Sequence, residues 1–249
     1  MLEVMELTKR FGGVVAVDKL NMNINQGEIA GIIGPNGAGK TTLFNLITGF
    51  LHPTKGKIIF EGKDITRQQP HSIAERGIVR TFQATNIFPE FTVLQNIIAA
   101  CYLKPKSGFF EDAFHTPSSL KKREYALRRA KEISQFTGLD GWESKLADEL
   151  SSGWRRTLSI ALALAVGPRL LLLDEPVTTL NPERVTFIMN LITKVRDSGV
   201  TIAVIEHNMG VIMDYCDRII VLAFGKKIAE GLPQEVRQNE DVINAYLGD

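Results

Sequence analysis

A chain of 249 residues, 44% hydrophobic and 23% charged, has the composition of an ordinary globular protein and can bury a substantial core. A formal net charge of +1 excludes a general electrostatic attraction to nucleic acid or to an anionic membrane. No apolar run reaches the roughly 20 residues a membrane helix requires, and the start Met1-Leu2-Glu3-Val4-Met5-Glu6 lacks the basic and apolar regions of a signal peptide. Cys101 and Cys216 lie far apart without metal-ligand spacing, which fits a reducing, cytoplasmic setting. A role at a membrane would therefore require recruitment by a partner.

In chain order, residues 1–30 and 56–62 carry short apolar segments broken by Gly and Asn, the pattern of antiparallel strands and hairpins. The apolar run 29–33 reads as a buried strand, and Thr42-Leu43-Phe44-Asn45-Leu46-Ile47 as the start of a helix. Between them stands Gly34-Pro35-Asn36-Gly37-Ala38-Gly39-Lys40-Thr41-Thr42, a complete G-x-x-x-x-G-K-T phosphate loop in a strand-to-helix context. Such a loop points successive backbone N–H groups at phosphates from the positive end of a helix. Its glycines admit turns that a Cβ would block. Lys40 is placed to reach the β- and γ-phosphates and Thr41 to reach a Mg²⁺ ion. The chain is expected to bind a nucleoside triphosphate.

Residues 91–151 read as a mostly helical insertion. Leu127, Ala130, Ile133 and Phe136 recur at near-helical spacing beneath Lys121, Lys122, Arg123, Arg128 and Arg129, the pattern of an amphipathic helix with a solvated basic face. Pro105, Gly108 and Pro117 mark the approach to it as loop. Two further runs, 170–173 and 201–205, are continuously apolar, as expected of parallel strands covered on both faces. A helix over 182–197 lies between them, with Pro182 at its start and Gly199 just past its end. Residues 218–224 and 227–229 read as a closing hairpin around Gly225-Lys226.

The candidate chemistry follows from these placements. Asp174 and Glu175 follow four leucines, at the strand edge where parallel sheets bind ligands. Asp174 would hold Mg²⁺ through water, leaving Glu175 to orient or deprotonate an attacking water. His207 ends the next strand and would contact the γ-phosphate and that water. Gln83 could supply a neutral oxygen to Mg²⁺ and sense the nucleotide state. Ser151, Ser152 and Gly153 open a helix over 154–166, where hydroxyl and N–H groups can meet an anion or serve as an ordinary cap.

Taken together, the phosphate loop, Gln83, Leu150-Ser151-Ser152-Gly153, Asp174-Glu175-Pro176 and His207 resemble the ATP-binding cassette (ABC) ATPases over essentially the whole chain, in that family's order. The resemblance implies an α/β P-loop NTPase: an ABC ATPase cassette with a RecA-like core, an antiparallel β subdomain and a helical subdomain. Residues 1–90 would form the first part of the core with the β subdomain, 91–165 the helical subdomain, and 166–249 the rest of the core and the tail. It implies ATP and Mg²⁺ as cofactors. Phe11 is similar to the aromatic that stacks on adenine, with Val17 packing nearby.

Within the family, Phe11-Gly12-Gly13, Ile78-Val79-Arg80-Thr81-Phe82-Gln83, Leu180-Asn181-Pro182 and the tail from Gly225 to Gly248 resemble the branched-chain amino-acid importer ATPases. That implies membrane permease subunits, a second ATPase chain and a solute-binding protein as partners, no nucleic acid, and a peripheral place on the cytoplasmic face of the membrane. Docking on the permease is expected near residues 83–91, where Phe88 and Phe91 offer apolar anchors. Asn181 and Asn208 stand where Asp is common, and Ser152 and Trp154 depart from the usual Leu-Ser-Gly-Gly-Gln signature. Because the signature acts on nucleotide bound across a dimer interface, the expectation is a competent hydrolytic half-site with a weakened signature. The alternatives are a soluble ABC ATPase outside transport and a regulatory ATP-binding module with weak hydrolysis.

Overall fold

The computed structural model describes residues 1–81, 87–102 and 117–247, with side chains of 117–120 and 247 set aside; Gln83 lies outside the described residues. The chain divides into two compact units, Met1–Arg80 with Arg169–Asp249, and Thr81–Pro168.

The first unit contains two sheets. Strands β1 (Leu2–Phe11), β2 (Val14–Ile24), β4 (Lys55–Phe60) and β5 (Lys63–Asp64) form an antiparallel sheet in the order β2-β1-β4-β5. Its inward residues stand opposite one another: Leu2 against Ile24 and Phe60, Val4 against Met22 and Ile58. The alternation of buried and exposed positions along β1 and β2 is what one covered face requires. Glu6 interrupts β1 with φ of 48°, and its freed N–H is satisfied by Asn21 Oδ1 at 2.8 Å.

The second sheet has the order β10-β9-β3-β8-β7-β6, with β3 (Ile29–Ile33), β6 (Ile78–Thr81), β7 (Leu170–Asp174), β8 (Thr201–Ile205), β9 (Arg218–Ala223) and β10 (Lys226–Gly231). The β3–β8, β3–β9 and β7–β8 pairs are parallel, and β10 returns antiparallel to β9. Every residue of β3 and β8, and the four leucines of β7, are buried, which is why these strands read as unbroken apolar runs. Leu2, Val4 and Leu7 share one core with Ile32, Phe44 of α1 (Lys40–Ile47), Leu172 and Ile205. A short helix α2 (Pro70–Glu75) precedes β6.

The second unit is helical: α3 (Val93–Tyr102), α4 (Pro117–Thr137) and α5 (Ser152–Val166) pack on one another, with a 3₁₀ turn at Ala147–Glu149. The buried face of α4 is Ala126, Ala130, Ile133, Ser134 and Thr137, whereas Leu127 is 39% exposed. The expected stripe is thus rotated by about one residue. Small residues fit the close approach to α3 and α5, and the larger Leu127 is left outside. The basic residues Lys121, Arg123 and Arg128 are exposed, and Arg129 pairs with Glu132 at 3.3 Å.

Helix α6 (Pro182–Asp197) begins at Asn181, whose side chain accepts from Arg184 N–H at 2.9 Å. Helix α7 (Met209–Tyr215) begins at Asn208, which accepts from Val211 N–H at 3.3 Å. Asn and Asp cap helices about equally well, so both departures from Asp keep the cap's acceptor oxygen. Helices α8 (Pro233–Arg237) and α9 (Glu240–Leu247) complete the tail.

Candidate functional site

The phosphate loop leaves β3 at Gly34 and enters α1 at Lys40. Gly34 has φ of 151°, and a Cβ there would overlap the backbone carbonyl of Leu222. Gly39 has φ of 100°, and its Cβ would lie 2.5 Å from Ala16 O, so β2 passes too close for any side chain. Gly37, by contrast, faces open space. The loop is closed by Ala38 N–H donating to Pro35 O at 3.2 Å, and Ala38 O accepts from Gly225 N–H at 3.1 Å. Gly39 supplies no capping side chain, which leaves the first N–H groups of α1 to meet an anion.

Lys40 is 6% exposed and folds back so that Nζ donates to Gly34 O at 2.6 Å and Pro35 O at 2.9 Å. Burial pushes its ammonium below the ordinary lysine range, opposed by the negative charges of Glu175 and Asp174. Those two carboxylates are therefore close enough to be felt at the loop. Thr41 is exposed at the first turn of α1.

Across the sheet edge, Glu175 follows β7 with φ of 49°, a left-handed conformation that costs a non-glycine residue roughly 1–2 kcal/mol. Its N–H donates to Ile205 O at 2.9 Å, and its Oε1 lies 2.9 Å from His207 Nε2. The structure thus brings together Lys40, Asp174, Glu175 and His207, contributed by the ends of β3, β7 and β8, at the carboxyl edge of the parallel sheet where open α/β folds bind ligands.

The comparisons with known proteins agree with this geometry. The ABC transporter family pattern matches residues 17–178. The chain belongs to the ABC transporter family. A second pattern, described as the branched-chain amino acid ATP-binding cassette transporter, matches residues 226–249. The chain is 39% identical to the high-affinity branched-chain amino acid transport ATP-binding protein BraF of Pseudomonas aeruginosa, covering 100% of this chain and 98% of that one. It is 40% identical, with the same coverage, to LivG of Escherichia coli, described in the same words. Among solved structures it resembles the ADP conformation of MJ1267, an ATP-binding cassette of an ABC transporter, with a TM-score of 0.88, 33% identity and coverage of 100% and 99%. The protein is therefore a nucleotide-binding ABC ATPase cassette, and its mixed α/β architecture is the one expected.

The other anticipated ligands of this cassette sit as follows. Phe11 closes β1 as an exposed ring with Lys9 Nζ 5.0 Å from its centroid, while Val17 is buried in β2 beside Gly39. Pro35 is buried, Asn36 exposed and Thr42 half-buried. Ser151, Ser152 and Gly153 open α5 in the helical unit; Ser151 is its N-cap residue without a side-chain cap bond, and Gly153 is buried. Trp154 stacks on Trp142, ring centroids 4.8 Å apart, and Lys145 lies 5.5 Å over the Trp142 ring. That aromatic contact accounts physically for a large apolar residue at the departing signature position.

Thr41 and Asp174 offer hard oxygen donors, which fit a Mg²⁺–nucleotide complex. Among the described residues no cluster of three or more His, Cys, Asp or Glu side chains forms a protein-only cage. Mg²⁺ binds through one or two protein oxygens plus phosphates, and Thr41 and Asp174 are donors of that kind.

Two residues here escaped sequence reasoning. Arg80, quoted before only as part of a motif, donates from Nη2 to Asp174 Oδ2 at 2.6 Å and from Nη1 to Asn45 Oδ1 at 2.6 Å, joining β6, β7 and α1. The side chains of this ion pair are 6% and 11% exposed. Breaking a buried pair strands the remaining charge, so Arg80→Ala should destabilise the full chain by about 3 kcal/mol in urea unfolding. A change within about 0.5 kcal/mol would show that the pair is not structural. Glu206 is the second: it is 1% exposed, accepts from Val177 N–H at 2.8 Å and from His207 N–H at 3.2 Å, and contacts Thr178 Oγ1 at 3.4 Å. Burial pushes its carboxyl above the ordinary range, with the Glu175 charge adding to that and the two N–H groups opposing it. A carboxylate closing a wholly apolar strand was the available signal.

Proposed function

We propose that this cassette is the ATP-hydrolysing subunit of an importer for branched-chain amino acids or a related small polar solute. The observation that carries the catalytic reading is the 2.9 Å contact between His207 Nε2 and Glu175 Oε1 at the edge of the phosphate loop. In this reading the loop from Gly34 to Thr42, through its backbone N–H groups other than at Pro35, and the Lys40 ammonium bind the phosphates, and Phe11 stacks on adenine with Val17 behind it. Thr41 and Asp174 would hold Mg²⁺, which when bound would neutralise phosphate charge. Glu175 takes the proton of the attacking water at its carboxylate, and His207 orients Glu175 and contacts the γ-phosphate. A general base of this kind contributes roughly 10²–10⁴ in rate.

The solute class rests on similarity over the full chain to branched-chain amino acid transport ATP-binding proteins, and on the tail pattern at 226–249. The partners in this reading are membrane permease subunits and a second ABC ATPase, whose nucleotide would be met by Ser151, Ser152 and Gly153. A solute-binding protein acts indirectly, and the chain sits on the cytoplasmic face of the membrane. Among the described residues no helix is long and apolar enough to cross a membrane.

Phe88 and Phe91 support a docking surface. They are 55% and 43% exposed, with ring centroids 5.1 Å apart. Buried Asn96 holds the turn beneath them, accepting from Phe88 N–H at 2.9 Å and donating to Phe88 O at 3.0 Å. The test is ATP-driven uptake of leucine, isoleucine and valine by vesicles carrying the assembled transporter. The native complex should accumulate them, and Phe88→Asp should lower uptake by about tenfold or more while the chain's ATP binding is unchanged. Failure of the native complex to take up any of the three would remove the branched-chain assignment in favour of a related small polar solute; undiminished uptake with Phe88→Asp would remove the docking surface.

A further inference from the structure

The chain leaving β7 and the chain leaving β8 are tied together beyond the sheet. The parallel ladder ends with Asp174 beside Ile205. Immediately past it, Glu175 N–H donates to Ile205 O at 2.9 Å. The next link is made by a side chain: Glu206 Oε1 accepts from Val177 N–H at 2.8 Å, and Oε2 accepts from His207 N–H at 3.2 Å and lies 3.4 Å from Thr178 Oγ1. Glu175 is therefore held on both sides, by Ile205 before its strained turn and by Glu206 at the residue two places later. The same carboxylate seats the backbone of His207. Without that anchor, a non-glycine residue at φ of 49° would have a way to relax.

From this we infer that Glu206 is a positioning residue for hydrolysis: its buried carboxylate clamps the loop after Glu175 to the loop carrying His207, and so sets the separation of those two side chains. Glu206 is 1% exposed, and its carboxylate acts through the backbone it holds. The inference rests on Glu175 and His207 being the hydrolytic pair.

The alternative is a carboxylate that merely satisfies buried N–H groups. Such a structural role would weaken nucleotide binding and turnover together. A clamp should lower kcat and leave KM for ATP alone, because the phosphate loop does not depend on it.

The series is Glu206→Ala, Glu206→Asp and Glu206→Gln beside Glu175→Gln. ATP turnover is measured in the assembled transporter and binding of a fluorescent ATP analogue on the full chain. Glu206→Ala should lower kcat by roughly 30–100-fold with KM within about threefold, the scale of a small misplacement of reacting groups. Glu206→Asp keeps the charge but falls one methylene short of Val177 N–H, and should lose kcat to a similar extent. Glu206→Gln keeps an oxygen for Val177 N–H but turns its amide NH2 towards His207 N–H, so one of the two backbone anchors is lost, and kcat should fall by about tenfold, between the parent and Glu206→Ala, with KM again within about threefold.

Parental kcat in Glu206→Asp or Glu206→Ala overturns the inference, as does a rise in KM that accounts for the whole loss. If Glu206→Ala does not fold, Glu206→Asp and Glu206→Gln decide it by the same kcat and KM comparison. If Glu175→Gln itself turns over normally, the hydrolytic reading fails instead; if Glu175→Gln is inactive and the Glu206 variants are not, only the clamp fails.

Discussion

Glu175→Gln in the assembled transporter is expected to lower steady-state ATP turnover by roughly 10²–10⁴ while ATP stays bound. Glutamine preserves the size of the side chain and an oxygen to face His207 Nε2, which lies 2.9 Å from Glu175 Oε1. It also preserves the backbone bond from residue 175 to Ile205 O, so the turn at φ of 49° has no new reason to relax. What it removes is a carboxylate able to take a proton. The predicted signature is therefore a loss confined to chemistry: filter binding retains ATP at parental affinity, and phosphate release in a single-turnover assay is slow. Unchanged phosphate release would remove Glu175 as the base and would favour a regulatory module; equal loss of binding would instead make it a phosphate-site residue.

Lys40→Met should have the opposite profile, with ATP affinity falling by two orders of magnitude or more and turnover falling because the site is empty. The lysine's donors are turned onto Gly34 O and Pro35 O, at 2.6 and 2.9 Å, within the phosphate loop itself. A charge-assisted hydrogen bond to phosphate in a partly dry site is among the stronger polar interactions. A thioether offers none.

The same substitution has a consequence for stability that separates it from general damage. Burial holds the Lys40 ammonium below its ordinary value of 10.5, so the unfolded chain binds that proton more tightly than the folded one. The resulting penalty is fully present at neutral pH and is relieved as pH rises through the folded-state value towards 10.5. Parent stability should therefore gain, relative to Lys40→Met, as pH is raised from 7 to about 10 in parallel urea titrations. Parallel curves would show that the ammonium is not desolvated in the folded chain.

Much of the fold was legible because its strands are buried on both faces. Residues 29–33, 170–173 and 201–205 are unbroken apolar runs, and they became β3, β7 and β8 at the centre of one sheet. The helix over 182–197 was marked by Pro182 at its first position, where a missing N–H is harmless. The phosphate loop was readable for a related reason. Gly34 and Gly39 hold backbone angles that exclude other residues, so the local geometry is written in residue type. The buried face of α4 was harder. A helix with Ala126, Leu127, Ala130 and Ile133 in near succession offers overlapping apolar stripes, and the partner surface left Leu127 outside.

For this protein, then, the sequence by itself determined the nucleotide chemistry, the family and the central sheet, because phosphate binding and double-sided burial both demand particular residue types at particular spacings. Only the tertiary structure decided which charges meet. Arg80 reaches Asp174, 94 positions away, and Glu206 reaches Val177, 29 positions away. Neither pair shares a periodicity or a motif. They are neighbours because β6, β7 and β8 lie side by side in one sheet. Once an arginine and a carboxylate are withdrawn from water together, or a carboxylate is buried beside free backbone N–H groups, the partner nearest in space satisfies the charge wherever it stands in the chain.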